Sequence, residues 1–414
     1  MNYFRFLVPT LVSGILAVSS VLAGDPVSMT VNVANPSGLA RSSETIEVPW
    51  SEILLRIPGA LPDHLSVKDA TGNSLPSQVL NFHPENKKGL FDSFLFQHDF
   101  ASGEKSASFT IETTTEPIPP FPSKVFARYV PERFDDFAWE NDRIAHRIYG
   151  QALETPSAGK SMMTGSGIDV WSKRVRYLIV DRWYLKSHDN YHKDTGEGLD
   201  MYDTGKWRGC GGTGIWSNGN LFVSHNWKTW KVMANGPIRA VFELTYEPWD
   251  GGGVQVSETK RFTVDAGHNL DLIESTFLFN GKPEVTVGIG LGKHPKGPGE
   301  LIQNKEQGWM SLWEKYKEDG QLGTAVVLAP GEQGSFTEDQ HDYLLLTQAT
   351  PSKAVRYYAG AGWDRSGDFS SKEDWNATVA SLAARLASPV TLSYSPPPAG
   401  TASSADLSAP PSTH

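Results

Sequence analysis

Short stretches in which apolar and polar residues alternate recur along most of this chain, separated by glycine, proline and asparagine. In the clearest of them, residues 237–246, Phe242 and Leu244 fall on one face and Arg239 and Glu243 on the other. A period of two is typical of an extended strand, whose successive side chains point to opposite faces. Similar stretches follow at short intervals, in residues 258–265, 270–277 and 284–289. The pattern predicts a mainly β protein built on a large antiparallel β-sandwich.

Composition divides the chain into parts. Residues 24–113 hold short alternating stretches and no helical period, which predicts a small N-terminal β domain. Four prolines fall within residues 114–123, and because proline favours extended chain without a backbone donor, this segment is predicted to be a linker. Residues 124–394 are predicted to form the large sandwich. Residues 395–414, rich in proline, serine and alanine, are predicted to be a disordered tail.

One amphipathic helix is predicted near the C-terminus. Ser371 is a suitable N-cap, and an apolar stripe of Trp375, Val379 and Leu382 follows it before Pro389 ends the helix. A helix with one apolar stripe buries that stripe against another element. We therefore expect this helix to pack on a sheet.

The first residues predict export. Arg5 precedes an apolar run over residues 6–22, a pattern typical of a signal peptide, here assigned to residues 1–23. No cysteine follows the run, so no lipid anchor is predicted, and no later apolar stretch reaches the roughly 20 residues of a membrane span. We expect a periplasmic or secreted protein. Its single cysteine, Cys210, cannot close an intrachain disulfide and is expected to be a buried thiol.

Composition also narrows the functional classes. The net charge of −10 argues against a nucleic-acid partner, because binding to phosphates requires a basic surface. The chain contains 13 Trp, 13 Tyr and 19 Phe, and aromatic faces beside polar groups commonly hold sugar rings. Sugar binding is therefore the first functional expectation.

Cations and aromatic rings are concentrated in residues 124–208. This window holds 14 Lys and Arg against 13 Asp and Glu, whereas the whole chain is acidic. An anionic sugar needs both kinds of side chain, since Arg or Lys pairs with its carboxylate and an aromatic ring covers its apolar side. The substrate-binding candidates are Arg147, Tyr149, Trp171, Lys173, Arg174, Trp183, Tyr191 and Lys193. The alternative is an ordinary sandwich face with solvated ion pairs.

Alternation near residue 146 predicts which of these side chains lie together. If residues 144–149 form a strand, Ile144, His146 and Ile148 point to one face. Arg147 and Tyr149 would then project together from the opposite face. His146, between two isoleucines, is expected to be a core histidine.

The catalytic candidates lie in the most polar segment, residues 187–202. Its many acidic residues and small apolar content predict a surface loop rather than a core element. His192 can act as acid or base near neutral pH, and Tyr202 can do so where neighbouring cations lower its pKa. Glu197 or Asp200 would orient that histidine. A mobile surface loop with an incidental histidine is the alternative.

No metal site is predicted in this segment. His188 and His192 have the spacing of two ligands on one helix face, but the surrounding Asp, Asn and Gly argue against a helix. The acidic residues do not match the ligand spacing of a calcium loop. We predict no cofactor, although hard oxygen ligands would suit a structural calcium ion.

Four motifs carry a resemblance to a known family. They are Trp139-Glu-Asn-Asp-Arg-Ile-Ala-His-Arg-Ile-Tyr-Gly, Ile168-Asp-Val-Trp, Tyr191-His-Lys-Asp-Thr-Gly-Glu-Gly-Leu-Asp-Met-Tyr and Ala234-Asn-Gly-Pro-Ile-Arg. In these motifs the chain resembles a secreted bacterial family described as a domain of unknown function, DUF4861. The resemblance covers nearly the whole mature chain. It implies a galactose-mutarotase-like β-sandwich and an association with the degradation of pectin and other uronate polysaccharides.

Together these observations predict an enzyme for acidic oligosaccharides, of which a lyase is the leading form. Arg147, Lys173 or Arg174 would neutralise the uronate carboxylate, and His192 or Tyr202 would remove the acidified C5 proton. Trp171 and Trp183 would hold the ring. The alternatives are a glycoside hydrolase, an epimerase or mutarotase, and a non-catalytic oligosaccharide-binding protein. The sugar, its linkage and the oligomeric state stay open.

Overall fold

The computed structural model describes residues 26–83, 85, 91–186, 190–294 and 299–398. The predicted signal peptide and residues 399–414 of the predicted tail lie outside these ranges. Within them the chain is mainly β, as the alternation predicts.

Strands form most of the regular structure. The first seven are β1 (Ser28–Ala34), β2 (Arg41–Pro49), β3 (Leu65–Lys68), β4 (Ser74–Leu75), β5 (Ser77–Leu80), β6 (Ser93–Phe100) and β7 (Ser106–Thr113). The next eight are β8 (Val125–Val130), β9 (Asp136–Asn141), β10 (Ile144–Ile148), β11 (Ile168–Lys173), β12 (Gly198–Leu199), β13 (Cys210–Ser217), β14 (Asn220–Phe222) and β15 (Thr229–Asn235). The last eleven are β16 (Arg239–Asp250), β17 (Gln255–Asp265), β18 (Leu270–Phe279), β19 (Val285–Gly292), β20 (Glu300–Asn304), β21 (Trp309–Lys315), β22 (Gln321–Leu328), β23 (Ser335–Glu338), β24 (Asp342–Ala349), β25 (Ala354–Trp363) and β26 (Thr391–Tyr394).

Helices are few and mostly short. The α-helices are α1 (Trp50–Arg56), α2 (Val180–Tyr184) and α3 (Lys372–Ala387), and short 3-10 segments occupy Pro62–His64, Pro131–Arg133, Gln151–Glu154, Pro156–Ser161 and Lys317–Asp319. The sequence predicts only α3. Among the described residues, no helix is long and apolar enough to cross a lipid bilayer.

Two small sheets form the N-terminal part. Their strand orders are β26-β1-β7-β3-β4 and β2-β6-β5, and all pairs are antiparallel. Their shared core includes the buried residues Val31, Val48, Phe96 and Ile111. The strand β26 comes from the far end of the chain, and the Ser395 amide after it donates to the Thr30 carbonyl at 3.0 Å.

The large sandwich has an eight-stranded sheet, of order β15-β16-β17-β18-β25-β22-β21-β20. Two five-stranded sheets pack on it, of orders β12-β11-β10-β9-β8 and β14-β13-β19-β24-β23. The alternation in β16 is confirmed, because Ala240, Phe242 and Leu244 are fully buried. The Phe242 ring packs on the Phe137 ring of β9, with centroids 4.6 Å apart. One continuous apolar core therefore joins the sheets.

Helix α3 lies where its apolar stripe predicts. Trp375 and Val379 are fully buried against the eight-stranded sheet, in a cluster that includes Trp313 of β21 and Val327 of β22. The Ser371 side chain accepts a hydrogen bond from the Asp374 amide, as expected of an N-cap.

Loss of this cap has a defined effect. Ser371→Ala is expected to lower the free energy of unfolding by about 1 kcal/mol, because the Asp374 amide loses its partner. Urea unfolding measures the difference. The control is Ser381→Ala, in the middle of the same helix, where alanine is the better helix former. Equal stability of the two variants would contradict the capping role.

Cys210 is buried in the sandwich core. Its Sγ lies 3.1 Å from the Gly360 carbonyl oxygen. Burial raises the pKa of the thiol to about 12. The thiol therefore stays protonated at neutral pH, in agreement with the prediction of a buried structural cysteine.

Candidate functional site

The five-stranded sheet β12-β11-β10-β9-β8 carries three of the candidate residues, Arg147, Trp171 and Lys173. In β10, Ile144, His146 and Ile148 all lie in the sandwich interior. Arg147 and Tyr149 share the other face and meet at one carboxylate, that of Asp169 on β11. The predicted arrangement of these two side chains is thus confirmed.

Arg147 is surrounded by acidic side chains, and we call Asp136, Arg147, Asp169 and Asp200 the carboxylate cluster. The Arg147 Nε donates to Asp169 Oδ2 at 2.6 Å, and Nη2 donates to Asp200 Oδ2 at 2.8 Å. Nη1 lies 3.7 Å from Asp136 Oδ2. The Tyr149 hydroxyl donates to Asp169 Oδ2 at 2.9 Å. The Arg147 side chain is only 6% exposed, so its donors are directed at the protein itself.

The carboxylate cluster contains three acidic side chains but only one cation, Arg147. Burial raises the pKa of Asp136 to about 6. Burial, together with the nearby charge of Asp169, raises the pKa of Asp200 well above its usual range. Bound protons therefore offset part of the negative charge that Arg147 leaves unbalanced.

Lys173 belongs to a second buried ion pair. Its Nζ lies 2.7 Å from Glu140 Oε2, and neither side chain is exposed. The same carboxylate accepts hydrogen bonds from the Ile179 and Val180 amides at the start of α2. Glu140, paired with Lys173 on the sheet, thus holds the start of α2 against it.

The predicted ring-binding tryptophans are covered as well. Trp171 and Trp183 are buried and pack together with centroids 5.2 Å apart. Tyr191 lies 5.1 Å from the Trp171 ring, and the Arg147 guanidinium lies over it at 5.2 Å. Neither tryptophan presents a face to solvent, which corrects the expectation that they stack on a sugar in this conformation.

The polar segment 187–202 is not simply a surface loop, and here the sequence prediction is wrong. Residues 187–189, which include His188, lie outside the described ranges, but Tyr191, Glu197 and Asp200 are buried. Burial of the two acids is tolerated because each has a cationic partner, Arg147 for Asp200 and Lys186 for Glu197. This segment and α2 cover the sheet face that was expected to be open.

Glu197 links the segment 187–202 to residues in and around α2. Burial opposes its ionisation, but hydrogen bonds from surrounding donors outweigh this and lower its pKa to about 2. The donors are Lys186, Tyr177, Arg182 and Trp183. A carboxylate held this way stays ionised and is unsuited to donate a proton at neutral pH.

Three of the predicted residues reach solvent. Lys193 is exposed, the His192 side chain is 37% exposed and the Arg174 side chain is 34% exposed. Arg174 pairs with Asp194 and stacks over the Trp363 ring at 5.0 Å.

His192 is oriented by Asp200, but through the backbone. Its Nδ1 lies 2.8 Å from the Asp200 carbonyl oxygen and 3.6 Å from Asp200 Oδ2. A carbonyl oxygen only accepts hydrogen bonds, so Nδ1 carries the hydrogen. In the neutral ring Nε2 then carries the lone pair, as a general base requires.

Tyr202 lies in a different group, and we call Tyr202, His294, Glu314 and Tyr316 the histidine cluster. The Tyr202 and His294 rings are 4.5 Å apart. His294 Nδ1 lies 2.8 Å from Glu314 Oε2 and 3.2 Å from the Tyr316 hydroxyl. Its Nε2 lies 2.9 Å from the Asp203 carbonyl oxygen, so this nitrogen carries a hydrogen.

The hydroxyl groups of the histidine cluster keep their protons. Burial raises the pKa of Tyr202, and burial with the charge of Glu314 raises the pKa of Tyr316, both well above the usual range. The Tyr202 hydroxyl is buried and has no hydrogen-bond partner within the described ranges. A buried donor without a partner costs free energy, and a bound molecule that accepted a hydrogen bond from it would remove that cost.

The two clusters are neighbours. The negative charge of Asp169 contributes to the raised pKa of Tyr316. Tyr149, which is bonded to Asp169, also lies 3.3 Å from Thr204 Oγ1, two residues after Tyr202. The segment from Asp200 to Thr204 therefore connects the carboxylate cluster to the histidine cluster.

Sequence reasoning missed several residues around Tyr202. His294, Glu314 and Tyr316 are some 90 residues or more from it along the chain, and no motif marks them. Trp207 belongs to the aromatic-rich window and is half-buried, 5.8 Å from the His294 ring. Its partial exposure distinguishes it from the covered tryptophans Trp171 and Trp183.

Metal ligands are not grouped in the part of the chain that the structure describes. No three His, Cys, Asp or Glu side chains there converge in a way that could hold an ion. A structural calcium remains a prediction.

The fold is similar to that of part of one glycosyl hydrolase family 38 protein. The structure of a glycosyl hydrolase family 38 protein from Enterococcus faecalis aligns with a TM-score of 0.50 at 11% identity, covering 89% of this chain and 47% of that one. This chain thus spans about half of that protein. The GH36 α-galactosidase AgaB from Geobacillus stearothermophilus aligns over 57% of this chain and 40% of its own, at 9% identity and a TM-score of 0.31. At these identities only the fold is compared.

Relatives in sequence identify the family. The model of the domain of unknown function DUF4861 matches residues 33–392. The uncharacterized protein P7 of Formosa agariphila is 32% identical over 389 residues, which cover 91% of this chain and 95% of P7. The chain belongs to the DUF4861 family.

Proposed function

We propose that this protein is an exported carbohydrate-active enzyme that cleaves acidic oligosaccharides by β-elimination. The observation that carries the proposal is the buried Tyr202 hydroxyl beside His294, which keeps its proton and has no hydrogen-bond partner among the described residues. The aromatic-rich composition and the fold shared with a glycosyl hydrolase family 38 protein support a sugar substrate.

Tyr202 is assigned the role of general acid. Its raised pKa keeps the hydroxyl protonated at neutral pH, so it can give a proton but cannot act as the base that the sequence also allowed. In β-elimination the bond between C4 and its substituent oxygen breaks, and that oxygen needs a proton as it leaves. A tyrosine hydroxyl without another acceptor can supply it.

His192 is assigned the role of base. Its Nδ1 donates to the Asp200 carbonyl, which fixes the tautomer that has the lone pair on Nε2. It would take the C5 proton of the uronate, leaving a double bond between C4 and C5. Asp200 lies two residues before Tyr202. One short segment therefore carries both the carbonyl group that orients His192 and the proposed acid.

Arg174 is the cation proposed to meet the substrate carboxylate. Arg147 and Lys173 are buried and bonded to protein carboxylates. Arg174 also pairs with a carboxylate, that of Asp194, but its side chain is partly exposed. A guanidinium on the uronate carboxylate stabilises the enolate-like charge that develops when C5 loses its proton. Trp207 is proposed to cover the sugar ring in place of Trp171 and Trp183.

Removal of one hydroxyl tests the acid. Tyr202→Phe is expected to lower kcat on uronate oligomers about a hundredfold, because general acid catalysis is worth at least that much. The matched control is Tyr246→Phe, which removes another buried hydroxyl without a partner among the described residues. Equal kcat for both variants, with both folded, would exclude the role assigned to Tyr202.

A further inference from the structure

A cavity lies where helix α3 meets the N-terminal sheets and the large sheet. Its volume is about 190 Å³, and it adjoins a cavity of about 360 Å³ that shares Arg385 and His268 in its lining. Arg41 of β2, Arg239 of β16 and Arg385 of α3 all line it. We call it the junction cavity. None of its lining residues belongs to the carboxylate cluster or the histidine cluster.

Two of the three arginines are already paired. Arg41 is bonded to Asn35, Glu44 and the Ser388 carbonyl oxygen. Arg239 donates to both carboxylate oxygens of Asp265, at 2.6 Å and 2.8 Å, and to Glu47. The acidic side chains of the junction cavity, Glu44 and Asp265, are thus engaged by these two.

Arg385 has no such partner. Its Nε is buried without a hydrogen bond, and across the described ranges no carboxylate lies within ion-pair distance of its guanidinium. Burial and the positive charge of Arg41 lower its pKa, while the negative charge of Glu44 opposes this shift. Three guanidinium groups therefore face one cavity, and Arg385 is the one without an ion-pair partner within the described ranges. An oxyanion that accepts from its N–H groups would stabilise this half-buried guanidinium, whose Nε is buried without a partner.

The remaining wall is apolar. Leu270, Leu382 and Leu386 also line the junction cavity. Together the two adjoining volumes fall in the size range of small-molecule sites, in which apolar walls surround a few convergent polar groups.

We propose that the junction cavity binds a carboxylate-bearing molecule of monosaccharide size, with the carboxylate accepting hydrogen bonds from Arg385. The inference is independent of the proposed catalysis, because the residues are different. A uronic acid is the probe that the chemistry selects. The neutral sugar of the same shape lacks the group that Arg385 would bind.

The test measures the melting temperature of the whole protein with galacturonate or glucuronate at constant ionic strength. A bound ligand stabilises the native state, so the melting temperature should rise with either uronate and not with galactose or glucose. Arg385→Gln should weaken uronate binding at least tenfold. Arg356→Gln, which removes an arginine paired with Glu274 on the sheet surface, should leave it unchanged.

Two further comparisons make the result decisive. Arg385→Gln removes an uncompensated charge, so the unliganded variant should unfold at no lower temperature than the parent. Tyr202→Phe should keep the uronate effect, which separates this cavity from the proposed catalytic site. The proposal is overturned if no uronate raises the melting temperature, if galactose does so equally, or if Arg385→Gln responds like Arg356→Gln.

Discussion

Arg147→Met is expected to lower the free energy of unfolding by about 3–5 kcal/mol, the usual cost of breaking a buried ion pair from one side. Methionine has a similar length but no charge, so Asp136, Asp169 and Asp200 would stay buried with no guanidinium to offset them. Urea unfolding at about pH 7 measures the loss. The defect should shrink at about pH 5, because Asp136, whose pKa is about 6, then binds a proton.

The control for this prediction is Arg128→Met on strand β8 of the same sheet. Arg128 pairs with Glu132 and Asp181, but its side chain is 25% exposed. Water can solvate those acids after the change, so we expect a loss below about 1 kcal/mol. Equal losses at Arg147 and Arg128 would show that the carboxylate cluster is not the structural centre of this sheet.

Asp271→Asn is expected to stabilise the protein at alkaline pH. Asp271 lies in the sandwich core, where its Oδ2 accepts a hydrogen bond from Trp139 Nε1 at 2.8 Å and lies 4.0 Å from His146 Nε2. Burial raises the pKa of Asp271 to about 7 and lowers the pKa of His146 to about 4. His146 is therefore neutral at pH 7 and supplies no compensating charge.

The sign of the pH effect follows from these pKa values. Between about pH 4 and pH 7 the native state holds a proton on Asp271 that the unfolded chain has released. The contribution of Asp271 to the free energy of unfolding is fully present below about pH 4 and is lost as the pH rises through about 7. Asparagine accepts from Trp139 but cannot ionise, so Asp271→Asn should gain on the order of 3 kcal/mol at about pH 8.

Unfolding curves between about pH 4 and pH 8 test this. The parent should lose stability over that range more steeply than Asp271→Asn, and the variant should keep some slope because the pKa of Asp342 is also raised, to about 7, by burial. The control is Asp63→Asn at an exposed position. A slope in Asp271→Asn as steep as in the parent would contradict a charged Asp271 in the core.

Local patterns predicted what depends on neighbours in sequence. Alternation placed Phe242 and Leu244 in the core and Arg147 beside Tyr149, because the faces of a strand follow from its period of two. The N-cap and the apolar stripe of α3 were also predicted, because both depend on residues that are close together in sequence. The short helices α1 and α2 were missed, since five to seven residues contain too few turns to show a helical period.

Burial of charge could not be predicted from sequence. The segment before Tyr202 has the composition of a surface loop, and only its partners on other strands make burial tolerable. Tyr202 itself was found because it ends that polar segment. His294 and Glu314 were not, because tertiary packing alone brings them beside Tyr202.

The products formed from uronate oligosaccharides test the central claim most directly. Pectic, alginate and ulvan fragments would be incubated with the protein, and both ultraviolet absorbance and product mass recorded. The account predicts a rising absorbance from the new C4–C5 double bond and an unsaturated fragment one water lighter than a hydrolysis product. New reducing ends without absorbance would show hydrolysis, and binding without any new ends would exclude cleavage of the chain. Either result would contradict β-elimination at Tyr202.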